Sequence, residues 1–303
     1  MSEDVLYGGI EAGGTKFICA VASDPPKLMD EIQFATTTPE ETLGKVCDFF
    51  RPYVKENRLQ SAGIASFGPV DVDVNSPTYG YITATPKPNW ENTDFLGTLK
   101  NDLNISFAFH HDVSVSGIGE MTWGASKGVD PSLYITMGTG IGGGYIFNGK
   151  PLTGISVLEM GHVCVPHDLQ QDPFEGNCPY HKDCFEGLAA GPAIEARMGA
   201  RGETLSDDDP FWAIEAEYIA YALTNYIFVL SPRIIVIGGG IMQRNFLYKE
   251  IRNKVKAILN GYLTYDELME GIDRYIVPPS LGKYSGVLGA IAMAMECCNA
   301  ESK

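Results

Sequence analysis

Apolar residues fall along this chain in two rhythms. Short runs of strand formers recur at Val5-Leu6-Tyr7, Phe17 to Val21, Phe107-Ala108-Phe109, Leu133 to Thr136, Tyr145-Ile146-Phe147 and Ile234 to Ile237. Between them the apolar positions take a helical period. Thr38-Pro39-Glu40-Glu41 is a capping box with proline at the first helical position, and Leu43, Val46, Cys47 and Phe50 then share one face. Ser114 to Trp123 reads as a helix, and Leu247, Ile251, Val255 and Ile258 form the stripe of another. Ile214 to Leu230 is apolar on most sides, which predicts a buried helix that stops at Ser231-Pro232. Strands alternating with helices predict an α/β fold.

Glycines interrupt this pattern at three places. Gly8 to Lys16 follows the first strand and precedes Phe17 to Val21, which gives strand, glycine turn, strand. A Walker loop or dinucleotide fingerprint needs a helix after its glycines, so both are rejected. The arrangement recurs at Met137 to Gly144, and the recurrence predicts a duplicated fold. A third cluster, Gly238-Gly239-Gly240, ends the buried strand from Ile234. Glycine lets several backbone N–H groups converge on an anion because no Cβ stands in the way. Two facing hairpins of this kind, with hydroxyls from Thr15 and Thr139 and the charge of Lys16, suit the phosphates of a nucleotide. The third cluster suits its adenosine end.

Composition narrows the partners. The chain has 303 residues, enough for two modest domains or one large one, and no Gly/Ser linker marks a boundary, so a hinge near residue 113 is expected. Its 38 acidic residues outnumber 22 basic ones for a net charge of −16, the wrong sign for holding nucleic acid through phosphates. No apolar run reaches the roughly 20 residues a bilayer demands, and the acidic start lacks a signal core. Seven cysteines without a disulfide pattern agree with a reduced, cytoplasmic protein.

Two places carry chemistry. The strand Phe107 to Phe109 runs into His110-His111-Asp112, and catalytic groups of α/β proteins sit at the carboxyl ends of strands. Asp112 fits a base that accepts the proton of an attacking hydroxyl; it fits a helix N-cap equally well. Cys178, His181 and Cys184 stand at C-x2-H-x2-C spacing, with His162 sixteen residues upstream. Three such ligands from one tight loop and a fourth nearby suit a closed, structural zinc site. Cys164 and His167 remain rivals for the fourth position. Glu159 and Glu186 flank the ligands and are candidates to receive sugar hydroxyls.

At this point the chain resembles a known family. Gly9 to Lys16, Gly138 to Gly143, Leu158 to His162 and Cys178 to Glu186 together are similar to the ROK family (repressor, open reading frame, kinase). Phe67 to Asp71, Thr83 to Lys87 and Ala190 to Ile194 match its fructokinase members, as does the C-x2-H-x2-C loop. The resemblance implies an actin-like (ribonuclease H-like), duplicated, two-lobed sugar kinase fold with an interdomain cleft and a structural zinc loop. Its lobes would be residues 1–113 with 286–303, and residues 114–285. It implies phosphorylation of D-fructose at the 6-hydroxyl by ATP with Mg²⁺, with Asp112 as the base and a homodimer as the assembly. Gly13, Gly14, Thr15, Lys16, Gly138, Thr139, Gly140, Pro192, Gly238, Gly239 and Gly240 would meet ATP. Gly68, Pro69, Asp112, Glu159, His162 and Glu186 would surround the sugar, and His162, Cys178, His181 and Cys184 would hold Zn²⁺.

Two departures stand out. His111 and Ser114 occupy positions where the family often has asparagine, and Glu11 stands where many members have aspartate. The rivals are a kinase for glucose, mannose or an N-acetylhexosamine, and a protein that binds sugar and nucleotide without turnover. The family's repressors carry a DNA-binding domain ahead of the first glycine motif. That motif begins here at residue 8, so no such domain is expected.

Overall fold

The computed structural model describes residues 5–301, which gather into two compact units. The first holds the chain up to Gly128, the segment Lys150–Val157, and the chain from Ser280 onward; the second holds Val129–Gly149 and Leu158–Pro279.

In the first unit, β1 (Leu6–Ala12) pairs antiparallel with β2 (Lys16–Ala22), which pairs antiparallel with β3 (Asp30–Ala35). On its other edge β1 runs parallel to β4 (Leu59–Ser66), and β4 runs parallel to a further strand, Ser106–His111. Helix α1 (Pro39–Lys55) crosses from β3 to β4, and its Thr38 hydroxyl accepts the Glu41 N–H, as the capping box predicts. The predicted face of Leu43, Val46, Cys47 and Phe50 is buried. A two-residue hairpin, β5 (Tyr81–Ile82) with β6 (Thr93–Asp94), and α2 (Phe95–Leu103) lead into Ser106–His111, here β7. Phe17, Phe50, Ile64, Trp90, Phe95 and Leu99 form the core on this face.

Helix α3 (Asp112–Trp123) follows β7 without a break, and α10 (Ser285–Glu301) covers the other face of the sheet. The backbones touch there: a Cβ at Gly9 would strike the Val287 carbonyl, and one at Gly63 the Ala290 carbonyl. Gly119 and Gly289 allow the same closeness between α3 and α10. The contact puts α3 wholly in the first unit, so the boundary expected near residue 113 lies instead between Gly128 and Val129.

The second unit repeats the connectivity. After the short β10 (Lys150–Pro151) is set aside with the first unit, β8 (Ser132–Met137) and β9 (Ile141–Phe147) make an antiparallel hairpin, β11 (Ile234–Gly238) runs parallel to β8, and β12 (Ile276–Val277) parallel to β11. Hairpin followed by two parallel strands is the order of β1, β2, β4 and β7. Helices α4 (Phe185–Ala189), α5 (Gly191–Met198), α6 (Phe211–Leu230), α7 (Asn245–Leu259), α8 (Asp266–Met269) and α9 (Ile272–Tyr275) fill the crossovers. Helix α6 begins three residues before the predicted start, where Asp209 accepts the Phe211 N–H, and ends at Ser231 in the left-handed region. On α7 the buried stripe closes with Leu259, and Ile258 is only partly covered.

One expectation changes. The glycine turns are shorter than the glycine-rich stretches, because Gly8, Gly9 and Gly142 to Gly144 continue their strands. Only residues 13–15 and 138–140 turn.

Candidate active site and metal centre

The predicted site residues fall in two sets, one in each unit. In the first unit β1 and β2 end in the turn Gly13-Gly14-Thr15, closed by the Gly13 N–H donating to the Lys16 carbonyl at 2.9 Å. The Thr36 hydroxyl anchors the turn by donating to the Gly13 carbonyl at 2.7 Å. Thr15 and Lys16 are exposed beyond it. Asp112 begins α3 where β7 ends, and its Oδ1 accepts the Val113 N–H at 2.7 Å. A helix N-terminus favours a carboxylate, while burial opposes its charge. Burial prevails and raises the Asp112 pKa above the usual range, against a downward pull from His111. Even so, 31% of the side chain stays accessible. The N-cap alternative fails: the cap position is His111, and no side chain caps the helix.

Two neighbours frame Asp112. Gly68 lies against the His111 ring, 3.2 Å from where its Cβ would stand, while the Pro69 carbonyl accepts the Thr83 N–H. Glu11, on β1, accepts the Val287 N–H at 3.2 Å. Burial, and secondly the charge of Asp112, push Glu11 up to about 7 against the pull of Lys16. Sequence reasoning gave Glu11 no role, although an acid inside the apolar strand Ile10-Glu11-Ala12 was a readable signal.

In the second unit the carboxyl ends of β8 and β11 gather the other glycines. Gly138 donates to the Gly140 carbonyl and accepts the Gly191 N–H at 2.8 Å, which seats Pro192 and the start of α5 beside the turn. Gly239 sits at φ +96°, and a Cβ there would overlap the backbone of Met137. The residues predicted to meet a nucleotide, Gly138 to Gly140, Pro192 and Gly238 to Gly240, thus adjoin one another.

Beside them lies a candidate metal centre. The ligand atoms of His162, Cys178, His181 and Cys184 all lie within 4.8 Å of one another. The Cys178 Sγ is 3.9 Å from His162 Nδ1 and 3.7 Å from His181 Nδ1, and the Cys184 Sγ is 3.5 Å from His162 Nδ1. With Zn–S and Zn–N bonds near 2.3 and 2.05 Å, a tetrahedron separates sulfur from nitrogen by about 3.6 Å. The quartet therefore fits zinc in spacing and in donor type. The loop is folded for it by mutual Cys178 and Lys182 backbone bonds at 3.1 and 3.0 Å. The rivals are excluded by their surroundings. Cys164 is exposed outside the quartet, and His167 bonds the Asp183 carboxylate and the Asp172 carbonyl.

Glu186 joins the centre to the glycine turn. One of its oxygens lies 4.0 Å from His162 Nε2, and the other accepts the Ile141 N–H at 2.8 Å. At 4.0 Å the carboxylate stands by the His162 ring without hydrogen-bonding it. Glu159 precedes the short helix Met160–His162 and is exposed, with no side-chain hydrogen bond among the described residues. A bound carboxyl network also braces the loop, since Asp172 receives Arg197 and the Tyr218 hydroxyl.

Comparison with known proteins agrees with this geometry. The ROK family model matches residues 7–297. The chain is 48% identical to a putative fructokinase of Bacillus subtilis, covering 98% of each chain, and 45% identical to the fructokinase of Streptococcus mutans, covering 95% of this chain and 97% of that one. Among solved structures it resembles a ROK hexokinase from Thermus thermophilus with a TM-score of 0.81 at 22% identity, over 99% of this chain and 100% of that one. A ROK glucokinase from Streptomyces griseus, solved with glucose and AMPPNP, matches at 0.74 and 21% over 96% and 99%. These likenesses give the fold as the actin-like one of sugar kinases. Spanning both glycine hairpins, Asp112 and the metal loop, the match makes this chain a member of the ROK family.

Proposed function

We propose that the protein phosphorylates D-fructose at the 6-hydroxyl with ATP, giving fructose 6-phosphate and ADP. The observation that carries the substrate is its 41–48% identity, over nearly the whole chain, to proteins named fructokinase or putative fructokinase. Asp112 carries the chemistry: a carboxylate at a strand end, made more basic by burial, suits proton acceptance from a hydroxyl.

In this reading Asp112 takes the proton from the sugar 6-hydroxyl as that oxygen attacks the γ-phosphorus. The new O–P bond forms while the bond to the β-phosphate oxygen breaks, and ADP leaves. Phosphoryl transfer asks the protein mainly to position groups and stabilise charge. The turn residues Gly13 to Thr15 and Gly138 to Gly140 would offer backbone and hydroxyl donors, and Lys16 a positive charge, to phosphates accompanied by Mg²⁺. Pro192 and Gly238 to Gly240 would shape the nucleoside contact. Gly68, Pro69, Glu159, His162 and Glu186 would contact the sugar. Zinc on His162, Cys178, His181 and Cys184 would leave no open position, so it supplies rigidity only. His162 would then be held by the metal through Nδ1 and present Nε2 toward Glu186. A cytoplasmic homodimer is the expected assembly, and no helix among the described residues is long and apolar enough to cross a membrane.

The test is ADP release from Mg-ATP with fructose, glucose, mannose and N-acetylglucosamine, for wild type and Asp112→Asn. Turnover on fructose above the other sugars, falling by about 10²–10⁴-fold in the variant, is expected. Preference for another hexose overturns the substrate, and an active variant overturns the base.

A further inference from the structure

We infer that His111 is a positioning residue: its Nε2–H holds Oδ1 of Asp112, which leaves Oδ2 as the oxygen presented to the substrate hydroxyl. This rests on the reading of Asp112 as the base. The His111 Nε2 lies 3.3 Å from Asp112 Oδ1, the same oxygen that accepts the Val113 N–H at 2.7 Å. The Val113 N–H bonds that oxygen and the His111 ring stands within ion-pair range of it, while Asp112's own backbone N–H also reaches the carboxylate.

The ring's tautomer follows from burial. The Nδ1 of His111 is buried without a hydrogen-bond partner. A proton there would be an unsatisfied buried donor, which costs more than an unused lone pair. In its neutral form the ring would therefore carry its proton on Nε2, facing Asp112. The ring is also confined, with 14% of its side chain exposed and Gly68 against its edge. Any side chain at 68 would press on the ring, which gives Gly68 a task in this site apart from sugar contact.

The other charges around Asp112 do not substitute for His111. Glu11 on β1 is a second carboxyl, and Lys16 pulls on Glu11. His110 precedes on β7 with its own Nδ1 buried and unpartnered, and burial draws it down to about 4, so it stays neutral. Among the described residues, His111 is the one cation-forming side chain within ion-pair range of Asp112.

The experiment compares pH profiles of kcat and the KM for sugar and ATP in wild type, His111→Leu, His111→Gln and Asp112→Asn. In His111→Leu, kcat should fall about 10–100-fold from lost orientation, with both KM values within about threefold. Its acid limb should move up by roughly half a unit or more, because a lost donor makes the carboxylate easier to protonate. The glutamine variant, whose amide N–H reaches near the Nε2 position, should restore most of kcat and the wild-type limb. A leucine variant with unchanged kcat and acid limb overturns the inference. So does one that keeps kcat but loses sugar affinity, which would make His111 a sugar contact. If His111→Leu fails to fold, His111→Asn, too short to reach Oδ1, decides by the same readings. An active Asp112→Asn would overturn the base itself; an inactive one beside a normal His111→Leu would overturn only the role of His111.

Discussion

Glu120 offers the sharpest structural test. It lies on α3 with no exposed surface, yet both carboxylate oxygens are fully used. Oε2 accepts the Ala125 N–H at 2.7 Å, the Ser280 N–H at 3.1 Å and the Ser280 hydroxyl at 3.4 Å. Oε1 accepts the Leu281 N–H at 3.0 Å and the Ser285 hydroxyl at 2.7 Å. This carboxylate therefore pins the entry of α10 to the end of α3. Glu120→Gln keeps shape and replaces one acceptor by a donor. The best orientation leaves the amide oxygen at Oε2 and turns the NH2 toward Leu281 and Ser285. The Ser285 hydroxyl can rotate to accept, but the Leu281 N–H then faces another N–H. One orphaned buried donor costs about 1–3 kcal/mol. Lost charge assistance at the remaining bonds brings the total to about 2–4 kcal/mol. At roughly 2–4 °C per kcal/mol, the first unit's melting transition should fall by about 5–15 °C. Differential scanning calorimetry reads this directly, and Trp90 and Trp123 report it by fluorescence because both lie in that unit. A melting transition within 1 °C of wild type would show that the five donors find other acceptors and refute the reasoning.

Three other outcomes follow from the same structure. Chelation should release about one zinc per chain, counted with a colorimetric thiol-competitive dye, and lower the second unit's transition by roughly 5 °C or more; protein purified without any metal would contradict the quartet. Glu11 has its folded pKa raised from 4.5 to about 7, so the stability it contributes is full below about 4.5 and lost as pH rises through 7. Glu11→Gln should therefore gain stability relative to wild type between pH 5 and 8, by up to about 3 kcal/mol in denaturant titrations, and a pH-independent difference would refute the shift. Glu215 is fully buried with both oxygens unpartnered, and burial pushes its pKa well above the usual range. Glu215→Leu should stabilise the second unit by about 1–3 kcal/mol in thermal melts, whereas a loss would reveal a partner for that carboxyl.

What the sequence disclosed follows a physical divide. Features set by neighbours in the chain were readable: the Thr38 cap, the face of Leu43 to Phe50, the strand-turn-strand hairpins and the Cys178-x2-His181-x2-Cys184 loop. The length of the glycine turns was not, because Gly8 and Gly9 serve packing across the sheet, not turning. The fourth member of the candidate metal cluster stayed open between His162, Cys164 and His167 until the fold drew His167 to Asp183 and Asp172. Glu11 stood out as an acid in an apolar strand, but its partner Val287, like the Ser280 to Ser285 partners of Glu120, lies more than 150 residues away along the chain and could not be read. The end of α3 came from the helical pattern, but its membership in the first unit depends on glycine contacts with a helix that the sequence places far away.

That last contact bears on how the protein is made. The face of β1 and β4 around Gly9 and Gly63 is complementary to α10, which is made long after those strands. About 220 residues separate the end of β4 from the start of α10. At ~5–20 residues per second, that face waits roughly 11–44 s for its cover during translation. The second unit, contained within the intervening chain, can close meanwhile, so the half begun first is the half finished last. Chaperones that shield bare strands would act on this half, and a ribosome stalled before residue 285 would present it uncapped.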